Sequence, residues 1–222
     1  MNKLALFDLD DTLINGDSDW LWCEFLIEKG VLSADFRTIN DDFYYKYEQG
    51  TLNPTEYLEF VLSPLKNTPE SKWYSIREEY INKIIKPLIL RKVKQFVTWH
   101  KDQGMTVIII TATNRFITEP IANIFEVDHL IASEYEINQG LVTGRPSGIP
   151  NFKEGKVKNL SLWLEKQGLE LSQLYSVFYS DSPNDLPLLQ LVSKPVATNP
   201  SKKLHEHAKE QGWSIIHFWD TH

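Results

Sequence analysis

Residues 7–17 read F-D-L-D-D-T-L-I-N-G-D, directly after the apolar run Leu4-Ala5-Leu6. That run has no polar alternation, so it predicts a short strand over 1–7, buried on both faces as in a parallel sheet covered by helices. Its exit carries Asp8, Asp10, Asp11 and Asp17. Like charges about 4 Å apart repel by roughly 4 kcal/mol at an effective dielectric near 20, so crowding acids at the end of a buried strand costs stability unless something offsets it. In extended chain, residues two apart point the same way, so Asp8 and Asp10 address one pocket while Leu9 turns into the core.

Outward from this stretch the pattern changes twice. From Gly16 to Lys86 it is helical. Asn53 stands at a cap and Pro54 at a first helical position, after which Tyr57, Val61 and Leu65 recur at helical spacing. Segments 33–49 and 68–86 read likewise, the latter with Ile76, Tyr80, Ile84 and Leu88 on one stripe, so the region predicts a small helical bundle. After Pro87, strands and helices alternate. Strands are predicted at 107–110, 175–179, 195–197 and 213–216, and a hairpin over 134–142 around Asn138-Gln139-Gly140. Helices are predicted at 117–125, 183–191 and 201–211, with another marked by Val157, Leu160 and Leu164.

This order predicts an α/β fold with a doubly wound parallel sheet and a helical cap domain inserted after the first strand. Residues 1–15 and 87–222 form the expected core and residues 16–86 the cap, hinged near Asn15-Gly16 and Lys86-Pro87 and placed to close over a site. In such sheets ligands gather at the carboxyl ends of the strands. Three polar clusters fall there: Asp8-Leu9-Asp10, Thr111-Ala112-Thr113-Asn114, and Asp181-Ser182-Pro183-Asn184-Asp185 after Ser180.

Composition narrows the partners. The chain has 222 residues, 42% of them apolar, which is ample for a packed core. Against 30 Asp plus Glu stand 23 Lys plus Arg, a net charge of −7 that gives no electrostatic reason to expect nucleic acid or an anionic membrane, so a small molecule is the expected partner. One cysteine, Cys23, excludes an intrachain disulfide, and its neighbours Trp22 and Phe25 predict a buried thiol. With too short an apolar start for a secretory signal and no run of membrane-spanning length, the expectation is a cytoplasmic protein. Nothing in the pattern specifies an oligomer.

The clusters suit phosphoryl chemistry. A hard cation such as Mg²⁺ takes oxygen ligands and keeps several waters, so Asp8 and Asp181, from two strand ends, can bind it and relieve their repulsion. A carboxylate can attack phosphorus and split one displacement into two easier ones, which makes Asp8 the candidate nucleophile. Asp10 is then the candidate acid for the leaving alcohol and base for the hydrolytic water. Thr111 offers a hydroxyl, with backbone N–H groups opening the helix behind it. For a phosphate-binding cation, Lys156 near the start of its helix ranks first and Lys153, one turn earlier, second; Lys158 projects to nearly the opposite side. Asp185 also has an architectural explanation, as the third residue of a capping-box variant after Ser182 and Pro183. Trp20 and Trp22 are expected in the core. His205 and His207, two apart on a helix, face different directions and are assigned no role.

The order of these clusters resembles the haloacid dehalogenase superfamily of phosphatases: D-x-D-x-T at Asp8 to Thr12, a strand ending in Thr at Ile110-Thr111, a Lys near a helix start at Lys156, and an acidic motif at Asp181 to Asp185. Its D-x-x-N-D form and the position of the cap are similar to the phosphoserine-phosphatase-like branch. The resemblance implies that Asp8, the Asp10 main-chain carbonyl and Asp181 bind Mg²⁺ with Asp185 in support, and that Thr111, Ala112, Lys156 and Asn184 hold phosphate. Phosphoserine phosphatases use a cap Glu for the substrate ammonium and a cap Arg for its carboxylate. By spacing, Asp17 falls at the first position and Val61 near the second, so a substrate carboxylate would lack its bidentate partner. The expected activity is therefore a Mg²⁺-dependent phosphomonoesterase working through an aspartyl phosphate, with histidinol phosphate favoured over phosphoserine. Transfer of phosphate to an alcohol, a receiver-like signalling domain and a non-catalytic phosphate binder are the alternatives. A receiver has no need of a helical cap or of a D-x-D pair on its first strand.

Overall fold

The computed structural model describes residues 3–219, so Met1 and Asn2 of the predicted first strand lie outside the described residues. The chain opens with β1 (Lys3–Phe7), after which come the helices α1 (Ser18–Glu28), α2 (Asp35–Gln49), α3 (Pro54–Leu62), α4 (Tyr74–Tyr80), α5 (Lys86–Leu88) and α6 (Arg91–Asp102). The alternating part follows as β2 (Thr106–Asn114), α7 (Arg115–Phe125), the hairpin β3 (His129–Asn138) and β4 (Leu141–Ser147), α8 (Glu154–Glu165), β5 (Tyr175–Ser180), α9 (Leu186–Leu189), β6 (Lys194–Thr198), α10 (Lys202–Gln211) and β7 (Ser214–Ile216).

The strands form one seven-stranded sheet in the order β4-β3-β2-β1-β5-β6-β7, parallel except for β4. Strand β1 lies between β2 and β5, with Phe7 opposite Ile109 on one side and Tyr179 on the other. Leu4 and Leu6 pack toward Leu160, Leu188 and Leu204 on one face, while Ala5 and Phe7 pack toward Val93, Val97 and Ile117 on the other. All four are fully buried, which is why the run shows no alternation. The chain leaves β1 for β2 on one side and later returns to pair β5 on the other, so a crevice opens at the carboxyl ends of these central strands.

Local chemistry accounts for the inserted helices. Asn53 caps α3, its side chain accepting from Thr55 N and Glu56 N with Pro54 at the first turn. The helix predicted over 68–86 is segmented and runs past its expected end: a 3₁₀ turn (Glu70–Trp73) leads into α4, then a π turn (Ile81–Ile85) leads into α5. Pro87 has no N–H to give the Lys83 carbonyl, and the turn before it widens so that the Lys86 N–H bonds to the Ile81 carbonyl. Helix α1 was not marked by the sequence because its apolar residues surround the axis: Trp22, Cys23, Phe25 and Leu26 form the buried side, while Trp20, Leu21 and Ile27 on the other side are only partly buried. Helix α6 was also unassigned, although Val93 and Val97, four apart, form its buried face. No helix among the described residues is long and apolar enough to cross a membrane.

Candidate active site

The stretch after β1 is fixed residue by residue. Asp8 N donates to the Tyr179 carbonyl at 2.9 Å, extending the pairing with β5. The Leu9 carbonyl then accepts from Thr12, Leu13 and Ile14 N–H groups, closing a tight turn with Leu9 fully buried. Asp11 takes a left-handed backbone, φ 52°, which Asp tolerates better than most residues. Asn199 donates to the carbonyls of Asp11 and Thr12, and its side-chain oxygen accepts from Phe218 N, so the turn is tied to the far end of the chain.

Each side chain of the turn has a specific holder. Asp8 is 4% exposed, and its Oδ1 accepts from Leu9 N and from Lys156 Nζ, both at 2.9 Å. The Asp10 Oδ1 accepts from Ser18 N at 2.7 Å, at the start of α1, and its Oδ2 accepts from Thr113 Oγ1 at 2.8 Å. Thr12 Oγ1 donates to Asp181 Oδ1 and accepts from Asp181 N, which joins the loops after β1 and β5. Asp17 caps α1, accepting from Trp20 N at 2.7 Å.

Lys156 is 2% exposed and spans Asp8 and Asp185, 2.9 and 2.8 Å away. Gly155, directly before it, admits no side chain: an added Cβ would lie 2.0 Å from the Pro150 carbonyl oxygen. Asp185 accepts from Ser180 Oγ as well as Lys156. Ser182 caps the following 3₁₀ turn through Asn184 N, but its own N–H goes to Ser180 Oγ, so the Asp185 carboxylate faces Lys156 and the capping-box explanation does not hold. Lys153 points elsewhere, to the Gly50 carbonyl.

On β2, Thr111 and Ala112 border the same cleft as Asp8, Asp10 and Asp17. Their carbonyls are held from behind: Asn151 donates to Thr111 O and Ile131 O, and Ser133 to Ala112 O. Asn151 and Ser133 were missed by sequence reasoning, since their bonds reach back 40 and 21 residues with no local signature. The other walls of the cleft include Phe43, Tyr44 and Tyr47 of α2, Tyr57 of α3, and Phe152. This aromatic surface was also unforeseen. Asp181 and Asn184 border an adjoining opening shared with Asp11, Tyr44 and Tyr47, and Asn184 Nδ2 donates to the Tyr47 carbonyl at 3.1 Å. Trp20 is not core: it is half-buried on the outer side of α1 with Nε1 donating to Asp41, whereas Trp22 packs against Tyr80 and Phe116. Val61 is buried with Cys23, Leu58 and Leu62.

Burial dominates the electrostatics. It raises the Asp8 carboxyl well above its ordinary range, with Lys156 opposing and Asp185 adding to the rise. For Lys156, burial disfavours the charge, but Asp185 and Asp8 outweigh it and keep the ammonium protonated. The Asp181 carboxyl is raised by burial first and then by Asp8, Asp11 and Asp185. Burial, with Asp10 next, pushes Asp17 up to about 8. Asp8 and Asp185 flank Lys156, and Asp10, Asp11 and Asp181 lie near enough to this pair or to one another to interact, so the cluster offers oxygen donors only, a set that fits a hard, partly hydrated cation. Among the described residues no three His, Cys, Asp or Glu side chains form a ready cage, so such an ion would draw on carboxylates, a main-chain carbonyl and water.

A doubly wound sheet with paired acids, a buried lysine and a threonine at its switch point defines a class of α/β enzymes that handle phosphoryl groups. The family model described as haloacid dehalogenase-like hydrolase matches residues 5–190, and the chain belongs to that family as one of its phosphatases. It is 40% identical to a histidinol-phosphatase of Neisseria meningitidis serogroup C (strain 8013) over 98% of this chain and 100% of that one. A solved structure of a protein of unknown function from Bordetella pertussis Tohama I is 41% identical, with a TM-score of 0.91, over 97% of this chain and 98% of that one. A substrate-bound phosphoserine phosphatase shares the fold at 21% identity and a TM-score of 0.69, over 97% and 93% of the two chains.

Proposed function

We propose that the chain is a Mg²⁺-dependent phosphomonoesterase that hydrolyses a small amine-bearing ester with a flat, polarisable ring, histidinol phosphate before phosphoserine, through a phosphoaspartate on Asp8. The observation that carries this reading is the cleft itself, lined together by Asp8, which is held on Lys156, by Asp17 and by five aromatic side chains. The relative named histidinol-phosphatase supports the ester. Burial of Val61 among apolar side chains, near the position where an Arg would receive a substrate carboxylate, argues against phosphoserine.

In this reading Asp8 Oδ2 attacks phosphorus while Oδ1 stays on Leu9 N and Lys156, and the bond from phosphorus to the ester oxygen breaks. Asp10, fixed by Ser18 N and Thr113 Oγ1, gives its proton to the departing alkoxide. It then takes a proton from water, whose oxygen attacks phosphorus, so that inorganic phosphate leaves and Asp8 is restored. Thr111 Oγ1, Ala112 N–H and Lys156 would hold the outer oxygens; Asn184 would join them by leaving the Tyr47 carbonyl. Asp8, Asp181 and the Asp10 carbonyl would hold Mg²⁺, with Asp185 in support, and the ion would supply charge neutralisation between nucleophile and phosphate.

Residues 16–86 are proposed as the cap over a core of 1–15 and 87–222, selecting the ester by its aromatic wall, and the site of action as the cytoplasm, in keeping with the lone buried thiol of Cys23. The test is a Mg²⁺-dependent phosphate-release assay with histidinol phosphate and phosphoserine, run beside Asp8→Asn. Faster turnover of phosphoserine at equal concentration would overturn the substrate assignment, and turnover undiminished by the substitution would overturn the mechanism.

A further inference from the structure

The C-terminal end of α2 meets three side chains from beyond the inserted helices. Lys153 Nζ donates to the Gly50 carbonyl at 2.7 Å, Asn184 Nδ2 to the Tyr47 carbonyl at 3.1 Å and Lys203 Nζ to the Glu48 carbonyl at 3.5 Å. The last carbonyls of a helix have no partner within it and carry the negative end of its dipole, so cations and amides are the groups that satisfy them. Helix α2 also supplies Phe43, Tyr44 and Tyr47 to the cleft, so whatever fixes its last turn fixes that wall.

Of the three donors, Lys153 makes the shortest bond and is held in the costliest backbone, φ 50° and ψ −120°, a region that side-chain-bearing residues rarely adopt. That conformation turns two neighbours onto α2 at once. The Phe152 ring enters the cleft wall with its centre 5.9 Å from that of Tyr47, and the Lys153 ammonium, 5.3 Å from the Phe152 ring centre, reaches the end of the helix.

We infer that Lys153 is a positioning residue that locks the last turn of α2 and so sets the aromatic wall against which the non-phosphate end of the substrate lies. It acts through Gly50 and Tyr47 and not on the phosphoryl group, whose lysine is Lys156 beside Asp8. This rests on the cleft being the ester site, as proposed above.

Lys153→Met keeps the aliphatic stem and removes the donor. Lys153→Gly removes the donor and relaxes a backbone with positive φ, so a result shared by both cannot come from strain. Backbone amide exchange over residues 44–50 of the ligand-free full chain is expected to quicken about tenfold in both variants, the size of one charge-assisted hydrogen bond. The KM for histidinol phosphate should rise about tenfold with a much smaller change in kcat, while calorimetric affinity for inorganic phosphate stays within about twofold. Unaltered exchange over 44–50 in both variants would overturn the inference, as would a fall in phosphate affinity as large as the rise in KM. Exchange and phosphate titration report on Lys153 even if histidinol phosphate is not the ester, so failure of the substrate assignment is told apart from failure of the lock.

Discussion

At Asp8 and Lys156 a single cation serves two buried carboxylates. Lys156→Met should leave both without it and cost about 3–5 kcal/mol, read as a lowered urea midpoint in metal-free buffer. An unchanged midpoint would mean the pair carries no folding load. Asp17 gives a pH prediction. Its carboxyl titrates near 8 folded and near 3.8 unfolded, so the folded state binds the extra proton between those values and stability from this group falls as pH rises, by at most about 1.4 kcal/mol per pH unit. Asp17→Asn should flatten that part of the stability profile. In catalysis the sign reverses, because only the ionised form pairs with an ammonium: kcat/KM for an amine-bearing ester should climb from pH 7 to 9, and the climb should vanish in Asp17→Asn. The acids themselves were legible from spacing alone. Their holders were not, since Thr113, Asn151, Ser133 and Asn199 act through contacts 21 to 188 residues away in sequence.

Secondary structure was legible wherever periodicity met a start or stop signal, as at Asn53-Pro54 and at the hairpin turn, where Gln139 and Gly140 both take positive φ. It failed where apolar residues encircle the axis, in α1, and where proline perturbs a helix without ending it. Pro120 lies inside α7, and the Phe116 carbonyl it leaves without a helical partner accepts from Arg77 of α4 at 2.8 Å. Arg77→Met should therefore cost about 1–3 kcal/mol in the natural background and distinctly less beside Pro120→Ala, which returns an N–H to that carbonyl. Equal losses in the two backgrounds would show that the contact is incidental. Gly155→Ala, with its Cβ driven toward the Pro150 carbonyl, should destabilise by more than about 2 kcal/mol and displace Lys156 with it; thermal melting checks the first effect and loss of turnover the second.

For the molecule as a whole, the sequence order predicted the architecture, because a strand with acids at its exit, a helical insert and then strand-helix alternation admit few arrangements. The aromatic lining of the cleft was hidden, since it is assembled from three separate segments, with Phe43 and Tyr47 on α2, Tyr57 on α3 and Phe152 before α8. The surplus of buried acid explains why a cation is expected: chelation should abolish phosphate release, and added Mg²⁺ should restore it without refolding. In this account a buried strand ends in so many carboxylates because the first of them carries covalent chemistry and the others support it. The measurement that addresses this most directly is rapid acid quench of the Mg²⁺-loaded enzyme during turnover of a radiolabelled ester, followed by peptide mapping. The account predicts acid-stable, hydroxylamine-labile label on the peptide containing Asp8, and none in Asp8→Asn. An active enzyme that never carries label there would contradict it.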